Sequence, residues 1–359
     1  MKPVLPITAI VPSFNCVGRI NSHLDAMMNW LEHVAEVIVV DSYSKDGSYE
    51  RLQQALSPYP HVRWIQCPPG LYQSWNRGIH AATQPYLYFS TIGDTITLEG
   101  LERLYHYIHN EQLDVIVSPP RLVADNTVKD AKPWPIHEII QAYQLNQFTR
   151  MPPKLVACLS LYYLQSSLLG SSASNLYKTQ TLQKSPFPTD HSRTGDSAWL
   201  IKQAPHIQFG LLPDCYSTFL IHEQENNSTK NRGKIARLQC AQLAYETYIA
   251  LTGIPPADCK EIAQNLCQFE DQPRSGSLLK NYSKQAKASA NTAQKLLLLC
   301  LIDSMNLVYH KQRFNQYKRR IGPLRYCYPK ALYHRHIRKR IKAQLVTRLL
   351  NKTVLDTIS

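Results

Sequence analysis

The sequence predicts an α/β fold with a mostly parallel central sheet flanked by helices, followed by a basic α-helical extension. Short apolar runs alternate with helical periodicity through the first 117 residues, a pattern typical of βαβ units with right-handed crossovers. Residues 1–229 hold 16 Lys+Arg and 19 Asp+Glu, a balance of −3, whereas residues 230–359 hold 24 and 7, a balance of +17. We therefore expect one domain over residues 1–228 and a basic helical domain over residues 229–359.

Composition excludes several classes of protein. The chain has 359 residues, of which 44% are hydrophobic, enough for a large core and too many for a disordered chain. Its nine cysteines form no CxxC pair, which argues against a disulfide framework or zinc site and fits thiols in a reducing cytosol. No stretch reaches the roughly 18 apolar residues of a membrane span.

In the first third of the chain, apolar runs predict buried strands and the segments between them predict helices. Strands are expected at residues 7–11, 34–40, 62–66, 86–89 and 114–117. Helices are expected at residues 20–33, 49–56, 72–83 and 98–109, where apolar residues recur every three or four positions.

After residue 120 the pattern is less regular. Residues 121–134 are expected to form a loop, and residues 169–177 a strand or an extended loop. The remaining expectations are helices at 137–148 and 198–203, strands at 207–212 and 215–221, and helices from residue 235 onward.

Polar side chains stand where predicted strands end. Asp41, Asp94 and His222 each follow a strand, and Asp196 precedes a helix. Ligands of open α/β sheets bind outside the carboxyl ends of the strands, so these groups are candidates for a site. Each also has a simpler explanation: Asp41 caps a turn, Asp94 and Asp196 cap helices, and His222 is a surface histidine. No GxGxxG follows the first strand and no GK[ST] occurs, so the usual dinucleotide and phosphate-loop motifs are absent.

Four segments in order along the chain, IVPSFN at 10–15, VVDSYSKDGS at 39–48, GLYQSWNRGI at 70–79 and YLYFSTIGD at 86–94, together resemble the family-2 glycosyltransferases, inverting sugar transferases of the GT-A fold. IVPSFN at 10–15 is similar to the family's VPxYN, and VVDSYSKDGS at 39–48 to VVDSGSTDGT. GLYQSWNRGI at 70–79 resembles the GIYDAMNKGI of one branch, and YLYFSTIGD at 86–94 its YIxFLNSGD. Gly195-Asp196 falls where the family carries Glu-Asp, and FLIHEQENNS at 219–228 is similar to FRxHxxxxS.

This resemblance implies a nucleotide-sugar-binding domain and assigns roles to residues. Asp196 would be the general base for the acceptor hydroxyl. Asp94 would hold a divalent cation, manganese or magnesium, and His222 would be a second metal or phosphate contact. The residues implied to contact the donor, a UDP-sugar, are Pro12, Ser13, Phe14, Asn15, Asp41, Ser42, Asn76, Arg77, Gly93 and Asp94. Many family members carry Asp-x-Asp-Asp where this chain has Thr91-Ile92-Gly93-Asp94, so one acid remains.

The basic end has three open interpretations. Residues 305–355 contain 14 Lys+Arg and no acid, with aromatics between them. The segment could lie on an anionic membrane, follow nucleic acid, or form a packed helical appendage with a solvated charged face. Because many relatives of such transferases act on lipid-linked or envelope sugars, we rank the membrane above nucleic acid.

The expected function is therefore transfer of a sugar to a glycan or lipid-linked glycan in polysaccharide biosynthesis, in the cytoplasm or at the inner face of the membrane. Two alternatives remain: a binding protein of the same fold that has lost catalysis, and a nucleic-acid-binding protein that uses the basic end.

Overall fold

The computed structural model describes residues 4–124, 133–163, 167–221 and 243. Eight strands form a mostly parallel sheet, in the order β3-β2-β1-β4-β9-β6-β10-β8. Only β9, between β4 and β6, and β8, at the edge beside β10, are antiparallel to their neighbours. A smaller sheet has the order β5-β11-β7. The predicted fold class is thereby confirmed for the described domain. The strands are β1 Leu5–Ser13, β2 Val34–Asp41, β3 Val62–Gln66, β4 Tyr86–Phe89, β5 Thr95–Ile96, β6 Val115–Val117, β7 Pro120–Ala124, β8 Thr149–Met151, β9 Asn175–Lys178, β10 Phe209–Leu211 and β11 Ser217–Ile221.

Helices connect these strands. Short 3-10 helices at Leu31–His33, Ser172–Ser174 and Ser192–Thr194 supplement them. The α-helices are α1 Val17–Met27, α2 Ser48–Leu56, α3 Leu71–Ala81, α4 Leu98–Asn110, α5 Pro135–Tyr143, α6 Pro153–Tyr162, α7 Thr179–Lys184 and α8 Gly195–Gln203.

The main sheet separates two apolar layers because successive strand side chains point to opposite faces. Ile10 of β1 and Ile38 of β2 pack with α3, α5, α6 and α8. Their neighbours Ala9 and Val37 pack with α1, α2 and α4 on the other face. A sheet covered on both sides explains why its central strands read as continuous apolar runs.

The helix and strand expectations for the first 117 residues are confirmed, with shifted ends. The predicted strands at 62–66 and 86–89 match β3 and β4, and α3 begins and ends within two residues of its predicted bounds. The predicted helix at 20–33 instead ends at Met27, and a 3-10 turn at Leu31–His33 follows it.

Some expectations after residue 120 are wrong. Residues 121–124 are not loop but belong to β7, which pairs in parallel with β11. The local sequence does not predict this strand because its pairing partner lies about a hundred residues away in the chain. The helix expected at 137–148 ends at Tyr143, because Gln144 turns into the left-handed region at φ 54°. By contrast, the segment at 169–177, expected as a strand or an extended loop, does contain a strand: a 3-10 turn is followed by β9. His222 and the helices expected from residue 235 onward lie outside the described residues.

Within the part of the chain described here, no helix is both long enough and apolar enough to cross a membrane.

Candidate functional site

The candidate site lies at the carboxyl edge of the parallel strands. Ser13, Asp41 and Gln66 are the last residues of β1, β2 and β3, and they are in register across the sheet. The side chain of Asp41 is fully buried, and its oxygens accept hydrogen bonds from Ser44 N at 3.0 Å, Ser44 Oγ at 2.6 Å and Gln66 Nε2 at 3.4 Å. Asp41 therefore shapes the turn after β2, as the simpler explanation of this residue predicts.

The loops after β1 and β2 are joined to each other. Asn15, with φ 44°, accepts a bond at Oδ1 from Lys45 N and donates from its own N to Ser44 Oγ. Asp46 accepts a bond at Oδ2 from Val17 N, in the first turn of α1. The side chains of Phe14 and Tyr43, which lie in these two loops, are about half exposed, at 51% each. Two exposed aromatic rings just after the carboxyl ends of neighbouring strands suit a planar ligand group.

A tight turn presents Asp94. Gly93 has φ 106°, which an L side chain rarely adopts, and Asp94 N donates to Thr91 O at 3.0 Å. The Asp94 side chain is only 6% exposed, and its Oδ2 accepts a bond from Ser171 Oγ at 3.3 Å. A second hydroxyl contact, between Thr91 and Ser172 at 2.9 Å, joins the same turn to the loop before β9.

A buried histidine supports this turn from α1. His23 Nδ1 lies 3.1 Å from Asp94 O, and Nε2 lies 3.1 Å from Ser90 Oγ. Burial lowers the pKa of His23 to about 4, although the bond to Asp94 opposes the shift. The ring is thus neutral at pH 7, and because a carbonyl can only accept, Nδ1 carries the proton and Nε2 accepts from Ser90.

Asp196 stands in the first turn of α8, partly buried. Its Oδ1 accepts a hydrogen bond from Tyr72 Oη at 3.0 Å. Burial raises the pKa of Asp196, and hydrogen bonds from Ser167, the Ser197 backbone and Tyr72 partly oppose the rise. A raised carboxyl pKa brings a base closer to the pH at which it must accept a proton.

The first turns of α3 connect the two parts of the site. Ser74 Oγ lies 2.8 Å from Ser42 Oγ on the strand-end side, while Tyr72, two residues earlier, bonds to Asp196. Gly78 lets this helix approach β1 closely, since a Cβ there would lie 2.8 Å from Ile10 Cδ1. The helix thereby holds the loop after β2 and the carboxylate of α8 in one rigid unit.

The remaining predicted donor contacts are less directly placed. Asn76 bonds through both polar atoms to the Phe187 backbone, at 2.8 and 3.0 Å, so its amide holds the loop before α8. Pro12 is half-buried, Ser13 is buried with Oγ 3.5 Å from Cys16 Sγ, and Arg77 is exposed. The roles of these residues as donor contacts stay predictions, as does the metal role of His222, which lies outside the described residues.

A metal ion would depend on few protein ligands. No group of three His, Cys, Asp or Glu side chains suited to a metal ion occurs among the residues that the structure describes. A buried carboxylate such as Asp94, flanked by hydroxyls, fits a hard cation whose other ligands are phosphate oxygens and water, a common arrangement for Mg²⁺. Asp94 therefore fits a cation shared with a bound diphosphate.

The comparisons with known proteins find a family model that matches part of the chain. Residues 8–169 match the model of Glycosyl transferase family 2. This segment is therefore similar to that family. It contains the strand-end loops, α3 and the Asp94 turn, and ends before Asp196.

Individual relatives are more distant. The chain is 27% identical over 116 residues to the uncharacterized glycosyltransferase YibD of Escherichia coli K12, a segment that is 32% of this chain and 34% of that relative. The chain thus aligns with about a third of the length of this curated relative. Two crystal structures of S. aureus TarS share the fold. One has a TM-score of 0.53 at 15% identity, covering 87% of this chain and 54% of TarS. The other, TarS 1–349 in complex with UDP-GlcNAc, has a TM-score of 0.50 at 15% identity, and the match covers 86% of this chain and 92% of that chain.

Sequence reasoning did not find several residues that build the site. Tyr72, Ser74 and His23 fall within predicted helices, and Ser171 falls within the segment predicted as a strand or an extended loop. Their partners lie 124, 32, 71 and 77 positions away in the chain, so no local pattern identifies them. The one available signal was the cluster of three serines at 171, 172 and 174 before a strand.

Proposed function

We propose that this chain is an inverting glycosyltransferase that moves a sugar from a UDP-sugar to a hydroxyl of a glycan or lipid-linked glycan. The observation that supports the proposal most is the bridging position of α3. This helix bonds to the loop after β2 through Ser74 and to Asp196 through Tyr72, so a candidate donor loop and a candidate base are held together. The similarity of residues 8–169 to family 2 and a TarS structure with UDP-GlcNAc are consistent with this donor class.

The donor nucleotide would lie across the joined loops after β1 and β2. The exposed rings of Phe14 and Tyr43 offer faces for a base, and the Ser13–Asn15 and Asp41–Ser42 segments offer polar groups for the ribose. The diphosphate would then point toward the Gly93–Asp94 turn, at the end of the adjacent strand β4. Arg19 lies near this turn, with Nη1 3.6 Å from the position of a Cβ on residue 93, and adds positive charge there.

The transfer would proceed by a single displacement. Asp196 takes the proton of the acceptor hydroxyl while the acceptor oxygen forms a bond to the anomeric carbon. On the opposite side the bond between that carbon and the diphosphate oxygen breaks, and its electron pair leaves with the UDP. In-line attack inverts the anomeric carbon. The raised pKa of Asp196 supports this role.

A divalent cation, Mn²⁺ or Mg²⁺, would neutralise charge on the leaving diphosphate when bound. Asp94 would hold it, with His23 and Ser171 keeping the Asp94 turn and carboxylate in place.

Thermal shift against a set of nucleotide sugars tests the proposal. A ligand that binds only the folded protein raises its apparent stability, by about 2.7 kcal/mol at a concentration one hundred times Kd. We expect a UDP-sugar with Mn²⁺ or Mg²⁺ to raise the melting temperature of the wild type. Asp94→Asn should lose the metal-dependent part of the rise, while Asp25→Asn, an exposed acid of α1, should keep it. No rise with any nucleotide sugar, with or without metal, would reject the donor assignment.

A non-catalytic binding protein is the second candidate. The single acid at the Asp94 turn favours it, because many members of the family that the sequence resembles carry Asp-x-Asp-Asp there. Donor binding without transfer or hydrolysis, by a protein whose Asp196 is intact, would favour this candidate.

We further propose that residues 305–359 bind an anionic membrane and bring the transferase to a lipid-linked acceptor. Each Lys or Arg near such a surface contributes about 1 kcal/mol to membrane binding. Residues 305–355 contain 14 Lys and Arg and no Asp or Glu. In liposome flotation with anionic lipids, the full chain should float and the chain without 305–359 should not. Equal flotation of both forms, or of neither, would contradict this role.

A further inference from the structure

We propose that Tyr72 is the positioning residue for Asp196, holding carboxylate Oδ1 and thereby fixing the orientation in which the carboxylate meets the acceptor hydroxyl. The inference rests on the proposed function, in which Asp196 is the base. It adds a residue that the sequence predicted only as part of the apolar face of a helix.

The hydrogen bond is directed by chemistry as well as distance. Tyr72 Oη lies 3.0 Å from Asp196 Oδ1 and 3.2 Å from Arg193 O. The hydroxyl has one proton, and an ionised carboxylate is a stronger acceptor than a backbone carbonyl, so the proton goes to Asp196. Oδ1 of Asp196 is then engaged, and the plane of the carboxylate is restrained.

The ring of Tyr72 is fixed in this place. It is 3% exposed, with ring centroids 5.4 Å from Trp75 and 5.6 Å from Phe187. On its other side is Gly195, where an added Cβ would lie 2.5 Å from Tyr72 Cε2 and 2.6 Å from Pro188 O. The absence of a side chain at 195 thus lets the ring lie directly against the first turn of α8. A fixed ring gives its hydroxyl a fixed position.

The surroundings of Tyr72 keep its hydroxyl protonated, so that it can donate a hydrogen bond. Burial, with Asp196 adding to it, raises the pKa of Tyr72 far above the working range, so the phenol stays protonated. The titratable groups that face Asp196 are Tyr72 from α3 and Tyr177 from β9, and the pKa of Tyr177 is also raised by burial. Both stay neutral, so Tyr72 influences Asp196 through its hydrogen bond, which favours the ionised carboxylate.

Tyr72→Phe tests the inference because it removes the hydroxyl and keeps the ring. We expect kcat to fall by about 10-fold or more, with the KM for the donor unchanged. Loss of the bond should raise the pKa of Asp196. Since the base works only when ionised, the loss of kcat/KM on the acid side should then begin at higher pH. Tyr163→Phe is the matched control, because Tyr163 also donates to a carboxylate at 3.0 Å, that of Glu138. It should leave kcat and the pH profile as in the wild type.

A second measurement does not need activity. The Asp196 carboxyl can be titrated by NMR in protein labelled with ¹³C at the aspartate carboxyl carbons, and Asp196→Asn assigns its signal. In the Tyr72→Phe variant, Asp196 should titrate at higher pH than in the wild type. An unchanged Asp196 titration, or an unchanged kcat and pH profile in an active enzyme, would overturn the inference. A wild type that transfers no sugar while Tyr72→Phe shifts the titration would reject the proposed function and retain the positioning role.

Discussion

At the scale of single residues, the turn before Asp94 requires glycine for its backbone conformation, while the space around residue 93 would admit a side chain. Gly93 has φ 106°, and a Cβ there would be in ordinary contact with Arg19, at 3.6 and 3.7 Å. The cost of a side chain is therefore conformational. Gly18 differs, because it lies in α1 and a Cβ there would meet nothing within 4 Å.

These two glycines give a matched prediction. Gly93→Ala should lower the free energy of unfolding by about 1–3 kcal/mol, from backbone strain. Gly18→Ala should raise it by about 0.4–1 kcal/mol, because alanine fits the first turn of α1 without strain and restricts the unfolded chain more than glycine does. Urea unfolding of both variants at pH 7, with equal m-values, measures the difference. Equal effects of the two substitutions would mean that the turn accepts a side chain.

At the scale of elements, a buried carboxylate joins two strands and a loop at the edge of the sheet opposite the site. Glu36 of β2 accepts bonds from Thr8 of β1 at 2.6 Å, from Thr83 before β4 at 2.9 and 3.0 Å, and from Arg63 of β3 at 2.5 Å. Burial alone would raise the pKa of Glu36, but these hydrogen bonds together lower it. The folded pKa therefore lies below the unfolded value of about 4.3.

This shift sets a pH dependence of stability. A carboxyl whose pKa is lowered by folding contributes stability that is present above the unfolded pKa and is lost as pH falls through the folded pKa. Glu36→Gln should therefore cost about 1–3 kcal/mol of unfolding free energy at pH 7. The difference in unfolding free energy between this variant and the wild type should narrow as pH falls below about 4. Denaturant titrations of both proteins at several pH values measure it, and a gap independent of pH would contradict the role given to the ionised carboxylate.

At the scale of the whole molecule, the sequence predicts what is local and misses what is distant. The strands β1 to β4 and the helices between them were predicted because each carries its own apolar period. The strand β7 was missed because its pairing with β11 defines it. The hydrogen bond from Asn76 to the Phe187 backbone was missed for the same reason, and the role of Asn76 as a donor contact stays a prediction. Motif positions located Asp94 and Asp196, but the contacts that hold them, from Ser171, His23 and Tyr72, exist only after folding.

The domain boundary near residue 228 and the placement of the basic residues stay predictions, because the described part of the chain ends at 221 apart from Leu243. Within the α/β domain, one helix, α3, links the loop after β2 to the carboxylate of Asp196 on α8.

Asp196→Asn tests the central claim most directly. The substitution keeps the shape of the side chain and removes the base. The account predicts that the melting temperature of the variant rises with a UDP-sugar as that of the wild type does, while the transfer rate falls by about 100-fold or more. Tyr72 can still donate to the remaining amide oxygen, so the fold around α8 should persist. Full transfer by Asp196→Asn would contradict the account and would place the base on another residue.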